Sequence, residues 1–244
     1  MGGEAYDDEK PIRTVELPAY DIAKYAVTYA QYKAFLDAPD GYRDDRWWRA
    51  PLKLAEQQKE HGDQRWKIAN RPAERVSWYD AVAFCRWLTA RLRAVGELGT
   101  DREIRLPTEA EWEKAARGTD GREYPWGGAY VDGSANVVDG EAGRRLVALA
   151  DKGDWDAYRK VFWDDAAVAL KHTTAVGLYP HGASPVGALD MGGNVWEWCA
   201  TEYASKSDED MSSTASRVVR GVVVPRLSRR ARRLSRLVLS RRPP

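Results

Sequence analysis

The run Leu189-Asp190-Met191-Gly192-Gly193-Asn194-Val195-Trp196-Glu197-Trp198-Cys199 constrains this chain more than any other stretch. A Gly-Gly-Asn turn leads straight into a segment that alternates Val195, Glu197 and Cys199 against Trp196 and Trp198. Glycine is needed where a backbone takes positive φ or meets another backbone closely. Strict alternation reads as a strand with two unlike faces. Two indoles on one face demand burial, so this strand belongs in a core. The other face offers the Glu197 carboxylate beside the Asn194 amide, both hard oxygen donors.

Three helix starts stand out by their chemistry. Thr28 can cap a helix running through Tyr32 to Leu36. Ser77-Trp78-Tyr79-Asp80 opens a second, with Asp in the place where a capping box usually carries Glu. Ala81, Cys85, Leu88 and Leu92 then share one helical face, which predicts an amphipathic helix over 78–94. Thr108 and Glu111 make a capping box after Pro107, and Gly118 stops that helix after about Arg117. Strands are expected at Ile12–Leu17 and Asp21–Tyr25. Residues 39–73 read as a long irregular insertion bearing Trp47, Trp48 and Trp66, and residues 131–172 as loops with one short helix near Arg144–Ala150. Few long elements among many loops make an α+β domain.

Charge divides the chain. No Asp or Glu follows Asp210, whereas ten arginines lie between Arg217 and Arg242. Without those ten, 28 basic residues face 37 acids, so the rest carries about −9. No apolar run is long enough to span a bilayer, and no signal-peptide pattern opens the chain. Cys85 and Cys199, the chain's two cysteines, sit in apolar contexts and read as buried free thiols. A disulfide scaffold is not indicated, so a cytoplasmic setting is expected. His61, His172 and His181 share no ligand spacing and read as loop histidines. Glu109, Glu111 and Glu113 suit a helix N-terminus, and the pairs Asp154/Asp156 and Asp164/Asp165 read as solvated loop charges. No phosphate-cradling loop or nucleophile elbow is present, and no catalytic residue is assigned.

Taken in order, the motifs form a set. Pro11–Leu36 follows P-x-x-x-V-x-L-x-x-Y-x-I-x-x-Y-x-V-T-x-x-Q-Y-x-x-F; then come Val76–Ala81, Arg105–Gly118, Tyr124-Pro125-Trp126-Gly127, Leu189–Cys199 and Arg217-Val218-Val219-Arg220-Gly221. The chain so resembles the formylglycine-generating enzyme / sulfatase-modifying factor family, over roughly residues 10–221. That resemblance implies a C-type-lectin-like fold with two main helices, small antiparallel sheets and many loops. It also implies structural calcium, with Asn136, Val137, Asn194, Val195 and Glu197 at the matching positions. Calcium favours such carboxylate, amide and carbonyl oxygens. The family's founding activity oxidises a sulfatase cysteine to formylglycine through a C-terminal cysteine pair that binds copper. No cysteine follows Cys199 here, which argues against a copper site.

The end of the chain departs from the family pattern. Val222-Val223-Val224-Pro225 stands where the family has Gly-Ser-Trp after Arg-Gly, and no closing Gly-Phe-Arg strand is recognisable before Pro244. Residues 1–221 are therefore expected to form the domain, with its first and last strands in doubt, and 222–244 an atypical arginine-rich tail. Three readings of that tail stand side by side. A frameshift fits, because Gly-Gly-Ser codons read one base late give Val-Val-Val. A hypervariable segment fits, because variable proteins of diversity-generating retroelements diversify this stretch of the same lectin-like domain. A basic arm fits, with Arg229, Arg230, Arg232, Arg233 and Arg236 on one helix, facing nucleic acid or an acidic surface. The expected function is ligand or protein binding at a loop surface; the alternative is a formylglycine-generating oxidase.

Overall fold

The computed structural model describes residues 1–2, 11–49, 61–137, 143, 145, 146, 148, 149, 152–164, 172–207, 215–221 and 236–241. The three capping signals each start a helix: α1 (Tyr29–Asp37), α2 (Trp78–Ala94) and α3 (Glu109–Arg117). All three carry reciprocal capping boxes, Thr28 with Gln31, Ser77 with Asp80 and Thr108 with Glu111. Each box satisfies backbone N–H groups that the first helical turn leaves without partners. Asp80 therefore does serve in place of Glu, and its other oxygen accepts from the Tyr42 hydroxyl at 3.0 Å.

A fourth helix, α4 (Trp155–Asp164), lies in the stretch expected to be loop. Asp154 caps it, its carboxylate accepting from Ala157 N at 3.0 Å, and Asp156 pairs with Arg159 one turn on. Both acids thus belong to a helix start. Residues 143, 145, 146, 148 and 149 are helical, in keeping with the short helix expected near 144–150. A 3-10 turn, Asp45–Trp48, organises part of the supposedly irregular insertion and buries Trp47 and Trp48.

Two small antiparallel sheets complete the architecture. The first orders β1 (Asp21–Ile22), β5 (Val238–Arg241) and β2 (Arg102–Arg105), with β5 in the middle. The second pairs β3 (Glu197–Glu202) with β4 (Arg217–Arg220). No strand forms at 12–17, where the alternating side chains are mostly exposed and, among the described residues, the backbone pairs only at Arg13, which exchanges hydrogen bonds with Met1. Alternation alone does not make a strand without a neighbour to take its hydrogen bonds.

β5 corrects the expectation of a missing closing strand. Leu239 faces both Asp21 of β1 and Ile104 of β2, and Val238 is fully buried. The domain therefore extends beyond residue 221 to the end of β5. The core has two parts. α1, α2 and the 3-10 turn build an aromatic cluster around Tyr32, Phe35, Phe84 and Trp87, closed by Trp198 and Ala200 of β3. On the other side of β3, Cys199 packs with Trp112, Ala115, Ala116, Met191 and Val218.

Candidate functional site

The Gly-Gly-Asn turn is built by close approach. A Cβ on Gly193 would lie 2.9 Å from Asn136 O, and one on Gly192 2.6 Å from the Trp126 ring. The positive φ falls on Asp190 (63°) and Asn194 (75°) instead. Asn tolerates that region better than most residues. Asn194 is buried, and its Oδ1 accepts from Asn136 Nδ2 at 3.0 Å and from Thr174 N at 2.9 Å. The Thr174 hydroxyl donates to the same oxygen at 3.5 Å. Asn194 Nδ2 donates to Thr174 O at 3.3 Å, and Asn194 N to Asn136 O at 3.1 Å. Asn136 also donates to His172 O at 3.0 Å. Thr173, between them, donates to the buried Glu74 carboxylate at 2.9 Å. Two segments far apart in sequence, 134–137 and 172–174, are so laced to the turn. Val137 stands on the first of these, its side chain against Gly193. The carbonyl of the buried Val195 lies against Gly221.

Glu197 does not face solvent. It is fully buried, and Trp112 Nε1 donates to its Oε2 at 2.8 Å. Arg236, also fully buried, reaches both oxygens at 3.2 Å. The same guanidinium donates to Ala23 O at 2.8 Å, Lys24 O at 2.6 Å and Leu189 O at 2.5 Å. Arg236 is therefore not part of a basic helix face. It closes the domain, one residue-pair before β5. Arg229, Arg230, Arg232 and Arg233 lie outside the described residues. Asp190 sits nearby with Oδ2 accepting from Gly177 N at 2.7 Å, and burial pushes its carboxyl up.

These side chains do not fit a calcium ion as arranged. A guanidinium and an indole occupy the Glu197 oxygens, and three donors occupy Asn194 Oδ1. The structure thus brings Asn136 and Asn194 together but assigns Glu197 to a protein cation. Among the described residues, no group of three or more His, Cys, Asp or Glu side chains could hold a metal.

Helix dipole and capping do not exhaust the α3 glutamates. All three are buried and each has a cation. Glu111 takes a bidentate contact from Arg105 at 2.8 and 2.7 Å. Glu113 pairs with Arg220 and Arg117, and Glu109 with Lys206 at 3.5 Å and Arg220 at 3.7 Å. Burial acts to raise the Glu111 carboxyl, but Arg105 and Thr108 outweigh it and hold it below its ordinary value. Arg105 and Arg220 were not legible beside α3 in the sequence because they come from β2 and β4. The histidines are dispersed: His61 against Tyr42, His172 against Trp66, and His181 in the turn Pro180–Gly182. Both cysteines are buried, and neither is in a disulfide. Among the described residues no helix is long and apolar enough to cross a membrane.

The chain matches the family model "Sulfatase-modifying factor enzyme 1-like domain" over residues 1–238, which takes in Arg236. It is 32% identical to hercynine oxygenase of Mycolicibacterium thermoresistibile over 216 residues, 81% of this chain and 39% of that protein. With formylglycine-generating enzyme of Mycobacterium tuberculosis the identity is 30% over 249 residues, 86% of this chain and 73% of that one. The chain spans about two fifths of the length of the hercynine oxygenases it matches. Among solved structures, Treponema denticola variable protein 1 aligns with a TM-score of 0.57 at 22% identity, covering 97% of this chain and 90% of that one. The fold is thus the C-type-lectin-like α+β fold expected from the motifs.

Proposed function

Since this chain belongs to the sulfatase-modifying factor enzyme 1-like domain family, we propose that it works as a ligand- or protein-binding member and does not itself carry out copper-thiolate oxidation. The state of its thiols carries this reading. Cys85 lies inside the aromatic cluster, where burial pushes its thiol up to about 12. Cys199 is fully buried on the other side of β3. Soft-metal chemistry needs accessible thiolates, and these two are neither accessible nor, for Cys85, ionised near neutrality. Incubation with a cysteine-bearing sulfatase peptide, copper and oxygen is expected to yield no aldehyde by mass spectrometry. Formation of formylglycine would sink the binding reading in favour of the oxidase.

A second reading is favoured by the 32% identity to hercynine oxygenase. In it this domain supplies the substrate-holding part of an oxygenase. Calorimetric titration with hercynine separates the two, since saturable binding would favour the oxygenase. The variable-receptor reading is supported by β4 and β5, which bracket the atypical residues 222–235 with framework strands. A near-copy of their codons beside a reverse transcriptase gene would be its signature in the flanking DNA.

For calcium, the engaged side chains set the expectation. A calcium site would add about 3–4 kcal/mol at saturating metal, or about 10 °C in unfolding midpoint for a chain of this size. We expect no such difference between protein treated with EDTA and protein supplied with calcium. A rise of that size would mean that Glu197 exchanges Arg236 for metal.

A further inference from the structure

The insertion that looked irregular in sequence ends in a built structure. Gln64 is buried and its side chain clamps the backbone of Glu74, accepting from Glu74 N at 2.5 Å and donating to Glu74 O. Downstream the backbone is pinned as well: Tyr29 N donates to Arg71 O at 2.7 Å, and Val176 N to Asn70 O at 2.9 Å. Between these clamps stands Trp66. The guanidinium carbons of Arg65 and Arg71 lie over its ring at 5.4 and 5.6 Å from the centroid. The His172 ring meets the indole edge-on at 5.4 Å. Arg65 is exposed, while Trp66, Arg71 and His172 are half-buried.

The charge on this cluster is unbalanced. Arg46, Arg102, Arg105, Arg117, Arg122, Arg159, Arg220 and Arg236 each pair with a carboxylate. Among the described residues, Arg65 and Arg71 have no such partner. Two cations are so gathered on one indole with no acid to justify it. A guanidinium held over a ring by its charge keeps N–H groups for other acceptors, and its planar fork can grip an oxyanion with two parallel hydrogen bonds. The indole face offsets part of the desolvation of the cations. The neighbouring imidazole can offer a further donor.

We propose that Arg65, Trp66, Arg71 and His172 form an oxyanion-binding site, which takes the phosphate or carboxylate group of a small ligand. The site stands apart from the thiols, so it holds or fails independently of the copper question. It is joined to the Gly-Gly-Asn turn through His172 O, which accepts from Asn136.

The test is calorimetric titration of the full chain with inorganic phosphate and, separately, with citrate, at constant ionic strength held with sodium chloride. Saturable binding of phosphate, of citrate or of both is expected, and the arm that saturates names the ligand class. The double variant Arg65→Gln/Arg71→Gln should weaken it at least ~10-fold, while the unfolding midpoint falls by no more than roughly a few °C from the two lost cation–π contacts, since neither side chain pairs with a carboxylate among the described residues. Trp66→Phe keeps a ring face and should weaken binding less. Absence of saturable heat with both anions, or equal binding by the double variant, overturns the site.

Discussion

Replacing Arg236 by Met is expected to cost about 3–5 kcal/mol of unfolding free energy, because it strands a buried carboxylate. Glu197 and Arg236 are both fully buried, and the substitution leaves the Glu197 carboxylate with the Trp112 indole as its side-chain donor among the described residues. It also frees the carbonyls of Ala23, Lys24 and Leu189, which Arg236 ties together. For a chain of this length the loss corresponds to roughly 10 °C in midpoint. Arg236→Lys should not restore it, since a single ammonium cannot reach two carboxylate oxygens and three carbonyls at once. The double variant Arg236→Met/Glu197→Gln should recover a large part, because the stranded charge is then gone. Urea unfolding of the four proteins checks this. A loss below about 1 kcal/mol for Arg236→Met, or no recovery in the double variant, would contradict the assignment of Arg236 as the counter-charge of Glu197.

Phe35→Ala is the second large effect, at about 3–5 kcal/mol. Phe35 is fully buried at the centre of the aromatic cluster. Its ring lies 5.6 Å from Tyr42, 5.8 Å from Phe84, 6.0 Å from Tyr32 and 5.4 Å from Trp87, mostly tilted or edge-on. Those neighbours come from α1, α2 and the turn between them, so the cavity cannot close by moving one element. Edge-to-face aromatic pairs add to the area term. A control at Val95, which is 68% exposed, should change stability by less than about 0.5 kcal/mol when cut to Ala. The readout is the urea midpoint with an unchanged slope. A Phe35→Ala cost no greater than that of the Val95 control would show that this cluster does not hold α1 to α2.

What was legible in the sequence was local. Each helix start shows in four residues, since a capping box is a contact between positions three apart. The family order of motifs and the burial of the Trp198 strand were legible for the same reason. Less visible were contacts between distant segments. Ile12–Leu17 has the alternation of a strand but, among the described residues, pairs its backbone only at Arg13 with Met1, whereas Val238–Arg241 has little alternation and lies between two partner strands. A strand is defined by its neighbours, and those neighbours, β1 and β2, lie more than a hundred residues away in sequence.

The same distinction governs the site. The residues alone dictate that a Gly-Gly-Asn turn feeds a buried strand, that three helices begin where they do, and that the two cysteines are core residues. These follow from side-chain size, polarity and spacing, which act over a turn or two. Which cation meets Glu197 depends on how the distant segments pack. Ten arginines crowd the last part of the chain with the same formal charge. Arg236 alone among those described is placed where its fork spans Glu197 and three backbone carbonyls. Charge is written in sequence, but the desolvation that makes the Glu197–Arg236 pair indispensable arises only once the segments are packed.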